Sequence, residues 1–84
     1  RTGAKMKILV KYFASFKERT GIAQEYIHID NGKSINDLVN IIIKKYNLEN
    51  TSNMVLSLNQ NHIKDNAKLN EGDEVAIMLT SSGG

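Results

Sequence analysis

The sequence predicts an α+β fold: one mixed five-stranded β-sheet with a single main helix packed on one face. Three observations carry this expectation. Apolar residues recur at Ile35, Leu38, Val39, Ile42, Ile43 and Tyr46, which is the spacing of one helical face. Several shorter segments alternate apolar and polar residues at period two, as half-buried strands do. The first and last of these segments are separated by a crossover long enough for them to lie side by side and parallel.

Eighty-four residues make one domain. A domain of this size buries only about 60% of the surface its unfolded chain exposes, so function is expected at a surface or a terminus. The chain has no cysteine, which excludes a disulfide framework, a thiolate nucleophile and a thiolate zinc site. The net charge is +2 and uneven: residues 1–19 hold six Lys/Arg and one acid, and residues 20–84 hold five and eight. That excess is too small to read as a nucleic-acid footprint. With no apolar run of membrane-spanning length and no signal-peptide pattern, the expectation is a cytoplasmic protein without a membrane partner.

Residues 1–5 have no periodicity and read as a disordered tail or expression remnant, with the domain expected over residues 6–79. Lys7–Phe13 reads as a strand with Ile8, Val10 and Tyr12 on one face and Lys7, Leu9, Lys11 and Phe13 on the other. Ser15 and Glu18 have capping-box spacing, and Gly21 stops a helix of one to two turns. Gln24–Asp30 alternates again, and Asn31-Gly32 supplies a turn. Ser34 caps the main helix, with Asp37 three residues on, and Asn47 ends it. Met54–Leu58 and His62–Lys64 read as a strand and a short edge strand around Asn59-Gln60-Asn61. Leu69 anchors a loop, and Glu71-Gly72-Asp73 makes a tight turn with solvated acids. Glu74–Leu79 is the last strand, sending Val75, Ile77 and Leu79 inward and Ala76 and Met78 outward. Residues 80–84 then form a flexible C-terminal tail ending in Gly83-Gly84. The order is that of a β-grasp.

Little in the chain suggests chemistry of its own. His28 and His62 lack a second ligand at metal spacing, so no metal site is expected. There is no phosphate-cradling glycine loop and no nucleophile relay. Two features stand out. Leu9, Phe13, Ala76 and Met78 fall on the sheet face away from the helix, where an apolar cluster marks a protein-docking surface, with Lys7, Lys11 and Glu74 as its polar rim. The Gly-Gly terminus, lacking Cβ atoms, can thread a narrow channel and present its carboxylate far from the body.

In KYFASFKERTG (Lys11–Gly21), the SINDL helix start (Ser34–Leu38), LSLNQ (Leu56–Gln60), LNEGDEVAI (Leu69–Ile77) and the terminal SGG, the chain resembles the MoaD/ThiS family of ubiquitin-like sulfur carriers, most of all its MoaD branch. It departs from that pattern at Arg19, at His62, where an exposed apolar contact residue is common, and at Met78–Ser81, where prolines are usual. The resemblance implies a non-catalytic carrier that binds no cofactor itself. A ubiquitin-activating-type enzyme would use ATP to adenylate Gly84, and a sulfur donor protein would convert it to a thiocarboxylate. The tail, Ser82, Gly83 and Gly84, would then enter the large subunit of molybdopterin synthase, with His62 joining the contact residues. A protein modifier conjugated through Gly84, and a carrier for thiazole synthesis or transfer-RNA thiolation, share these features.

Overall fold

The computed structural model describes residues 4–49 and 51–80. Its elements are β1 (Lys5–Phe13), α1 (Ala14–Thr20), β2 (Gln24–Asp30), α2 (Ile35–Tyr46), β3 (Met54–Leu58), β4 (Asn61–Ile63) and β5 (Glu74–Leu79). The sheet order is β2-β1-β5-β3-β4. β1 and β5 pair in parallel at the centre, and every other pairing is antiparallel. This is the mixed five-stranded β-grasp sheet that the sequence predicts.

The main helix forms where the apolar stripe and the caps agree. Ser34 and Asp37 make a reciprocal capping box, with the Ser34 N–H donating to Asp37 Oδ2 at 2.9 Å. That bond, and the donation of the Ser34 hydroxyl to the same carboxylate, hold the Asp37 carboxyl below its ordinary range. Asn47 closes the helix in the left-handed region, where an asparagine is tolerated. Ile35, Leu38 and Ile42 are fully buried against Ile8, Val10, Val75 and Ile77 in one core cluster. Each such side chain contributes about 1.5–3 kcal/mol on burial.

At one end of this interface three elements meet at a carboxylate. Glu25 of β2 accepts from the Tyr12 hydroxyl at 2.6 Å, the Tyr46 hydroxyl at 2.7 Å and the Lys45 ammonium at 2.7 Å. Burial alone would raise the Glu25 carboxyl, but the bonds from Lys45, Tyr12 and Tyr46 outweigh it and hold the group below its ordinary range. The Tyr12 phenol is pushed upward, by burial first and by its bond to Glu25 second. The Tyr12 ring also packs against Phe16 and edge-on against Tyr46.

Four local expectations are corrected. Lys5 already belongs to β1, opposite Asp30 and ion-paired with it at 3.0 Å, so the domain begins one residue earlier than Met6. Thr80, assigned to the free tail, is hydrogen-bonded to Asn53. Ser15 does not cap α1: Phe13 stands at the cap position with no side-chain bond, and Ser15 lies within the helix. The chain enters α1 through Ala14 at φ 52, and Gly21 ends it at φ 83. Asp73 is not a solvated turn acid. It is 9% exposed, accepts from the Asn59 amide at 3.0 Å and from the Asn70 N–H at 2.8 Å, and so ties its turn to the β3–β4 turn.

Candidate functional site

α2 covers one face of the sheet and leaves the other open. Strand alternation decides what the open face carries. In β1 and β5 the buried residues are Met6, Ile8, Val10, Tyr12, Val75, Ile77 and Leu79, so Phe13, Ala76 and Met78 lie opposite. The parallel register sets Phe13 beside Met78, and the antiparallel one sets Met78 beside Val55 and Ala76 beside Ser57. β4 then adds His62 beside Ser57.

These side chains line a shallow groove of about 320 Å³, bounded by Phe13, Val55, Ser57, Gln60, His62, Ala76 and Met78. Phe13 is 46% and Met78 39% exposed, large values for apolar side chains on neighbouring strands. The structure thus brings four of the five expected contact residues together. It leaves Leu9 out: Leu9 is half-buried further along β1, opposite Tyr26 of β2 and Glu74 of β5. The expected rim is divided as well. Lys11 pairs with Glu74 at 3.3 Å, whereas Lys7 sits over the exposed Tyr26 ring, 4.5 Å from its centroid.

Sequence reasoning missed Val55, Ser57 and Gln60. The signal was present in β3, where Val55 and Ser57 alternate with Met54, Leu56 and Leu58, but it gains meaning only when β3 is placed beside β5. Asn59 and Gln60 form the hairpin turn with φ 51 and 73, which carries Gln60 to the groove margin.

Chemically, the open face offers apolar surface with a polar edge, which suits docking and not bond-making. Among the described residues no three or more His, Cys, Asp or Glu side chains are grouped to hold a metal ion. Among the same described residues, no helix is long and apolar enough to cross a membrane. Ser82, Gly83 and Gly84 lie outside the described residues. The root of their segment is placed, because Leu79 is buried in β5 and the Thr80 N–H donates to the Asn53 carbonyl at 2.9 Å.

Comparison with known proteins agrees with this architecture. The model of the ThiS family matches residues 10–84. The molybdopterin synthase sulfur carrier subunit of Chlamydomonas reinhardtii is 34% identical over 83 residues, covering 94% of this chain and all of that one. Among solved structures, a candidate molybdopterin converting factor subunit 1 from Pyrococcus furiosus superposes with a TM-score of 0.79 at 23% identity, over 90% of this chain and 99% of its own. The small archaeal modifier protein 1 of Methanosarcina acetivorans gives 0.76 at 20% identity, over 98% and 100%. At these identities the two structures speak to the fold alone.

Proposed function

This chain belongs to the ThiS family, and on that footing we propose that it is a sulfur-carrier subunit of the molybdopterin synthase type, loaded at the Gly84 carboxylate. The observation that carries the reading is the placement of the groove. Phe13 and Met78 stand at the end of the open face where β5 gives way to the tail, so a partner seated on the groove lies close to the point from which Gly84 is presented. The extensive match to a relative described as a sulfur carrier supports the same reading.

The chemistry asks little of this chain. A free carboxylate is a poor acyl donor. In the proposed cycle a Gly84 oxygen attacks the α-phosphorus of ATP on an activating enzyme, and pyrophosphate leaves. The resulting anhydride with AMP has a carbonyl carbon open to a sulfur nucleophile. Sulfur at the sulfide level, delivered by a donor protein, displaces AMP and leaves a thiocarboxylate. On the large subunit that sulfur passes to the acceptor, and water restores the carboxylate. The catalytic groups belong to those partners, and ATP is bound by the activating enzyme. The carrier supplies a docking face, an unhindered backbone at Gly83-Gly84 and the reacting carbon.

Deleting Gly84 tests this. The truncated chain is expected to melt as the intact one does and to give no ATP–pyrophosphate exchange with the cognate activating enzyme. Normal exchange by the truncated chain would sink the proposal. With enzyme, ATP and sulfur donor supplied, intact-protein mass spectrometry should find a gain of about 16 Da at Gly84, oxygen replaced by sulfur. Covalent adducts through Gly84 without any thiocarboxylate would favour a protein modifier instead.

A further inference from the structure

The β3–β5 ladder ends at Met54 opposite Leu79, yet the chain is held one residue further. The Thr80 N–H donates to the Asn53 carbonyl at 2.9 Å, and the Thr80 hydroxyl donates to the same oxygen at 3.2 Å. A carbonyl oxygen has two lone pairs and can take both donors. The acceptor is backbone, so the arrangement does not depend on the side chain at position 53. Only the second bond depends on the side chain at 80, which must be a short hydroxyl, and that bond reinforces the backbone one. A β-branched residue also restricts its own χ1, which stiffens the position.

We propose that Thr80 is a positioning residue, whose paired bonds to the Asn53 carbonyl fix the point and direction from which the tail leaves the sheet and thereby set where Gly84 can be presented to a docked partner. The inference rests on the sulfur-carrier reading above and adds a residue to it.

The location fits that role. Strand alternation gives Thr80 the same face as Met78, and Asn53 the same face as Val55, so the two bonds lie at the end of the docking groove. From Thr80 only four residues remain to the end of Gly84, a span of at most about 14 Å. A tether that short has little slack with which to correct a wrong exit direction. Releasing Thr80 moves the origin back to Leu79 and adds about 3.5 Å of chain. It also spreads the terminus over more directions, which lowers its effective concentration in the partner's channel. Docking through Phe13, Ala76 and Met78 uses none of these bonds, so affinity and transfer should separate.

Three variants resolve the contributions. Thr80→Ser keeps the hydroxyl; Thr80→Val keeps the branched shape and loses the hydroxyl; Thr80→Gly loses both. Each is loaded as the thiocarboxylate and bound to the large subunit. The dissociation constant is measured by calorimetry and sulfur transfer by single turnover, while Thr80 amide exchange is followed by NMR. The expected result is dissociation constants within about twofold of wild type throughout, with transfer near wild type for Thr80→Ser, about threefold slower for Thr80→Val and about fivefold slower for Thr80→Gly. Amide protection at Thr80 should fall in the same order. Equal transfer rates in all four proteins would overturn the inference while leaving the carrier reading intact. A loss explained wholly by weaker docking would also overturn it. Failure of the wild-type chain to accept sulfur would instead remove the carrier reading, and the positioning role with it.

Discussion

Glu25 accepts three hydrogen bonds from two tyrosines and a lysine, and that makes one carboxylate a pH-sensitive joint between β1, β2 and α2. Its carboxyl is held below its ordinary value of 4.5 in the folded chain, so the unfolded chain takes up this proton first as pH falls. The stabilisation is therefore complete above about pH 5 and is lost as pH drops through 4.5 and below. Glu25→Gln is expected to lower the melting temperature at pH 7 and to flatten its decline between pH 6 and about 3, as recorded by circular dichroism. An unchanged acid slope would mean that the joint carries no linkage. Ala14 presents the opposite case, a residue whose type suits its place poorly. At φ 52 its Cβ meets steric cost that glycine avoids. Relief of that cost is partly offset by the greater freedom of glycine in the unfolded chain. Ala14→Gly should still gain up to about 1 kcal/mol in urea denaturation, and a loss of stability would show that the backbone relaxes there.

Among the elements, α2 was legible because two independent signals agree, a 3–4 apolar spacing over its twelve residues and a reciprocal cap at Ser34 immediately before them. β1, β2 and β5 were legible because each buries one face, so alternation fixes which residues are inside, whereas β3 is half-buried along its whole length. The same parity placed Phe13, Ala76 and Met78 on the open face. What stayed hidden depends on residues distant in sequence. α1 enters through Ala14 and Phe13, fixed by the β1 register, and a local Ser15–Glu18 pattern cannot report that. Asp73 takes its partner fourteen residues away, where Asn59 donates to it and accepts from the Glu74 N–H at 2.9 Å. That pair of bonds joins the β3–β4 turn to the start of β5. Asn59→Ala removes both and also puts an alanine at φ 51. We expect a loss of about 2 kcal/mol by chemical denaturation, the scale of an orphaned, largely buried acceptor. A loss below a few tenths would show that water replaces the asparagine.

For the whole molecule, the division into a helix-covered face and an open face would, on the proposed reading, separate stability from recognition. Phe13→Ala and Met78→Arg alter side chains that α2 does not touch. Each should weaken binding to the large subunit by about 1–3 kcal/mol in a calorimetric titration while the melting temperature changes little. Unchanged affinity in both variants would make the groove incidental. The sheet order carries a further consequence. β5 is the last strand to be made, yet it occupies the middle of the sheet, hydrogen-bonded to β1 on one side and β3 on the other. Until residues 74–79 emerge from the ribosome, the antiparallel β2–β1 pair and the β3–β4 hairpin have no strand to join them, and Val75, Ile77 and Leu79 are missing from the core. Domains tend to fold as units once their residues are available during synthesis, and this one cannot close early. A copy interrupted before its final strand stays open to proteolysis and never displays an assembled groove. Folding thus acts as a completeness check: only a chain whose synthesis has run through β5 presents the closed sheet and its open-face groove.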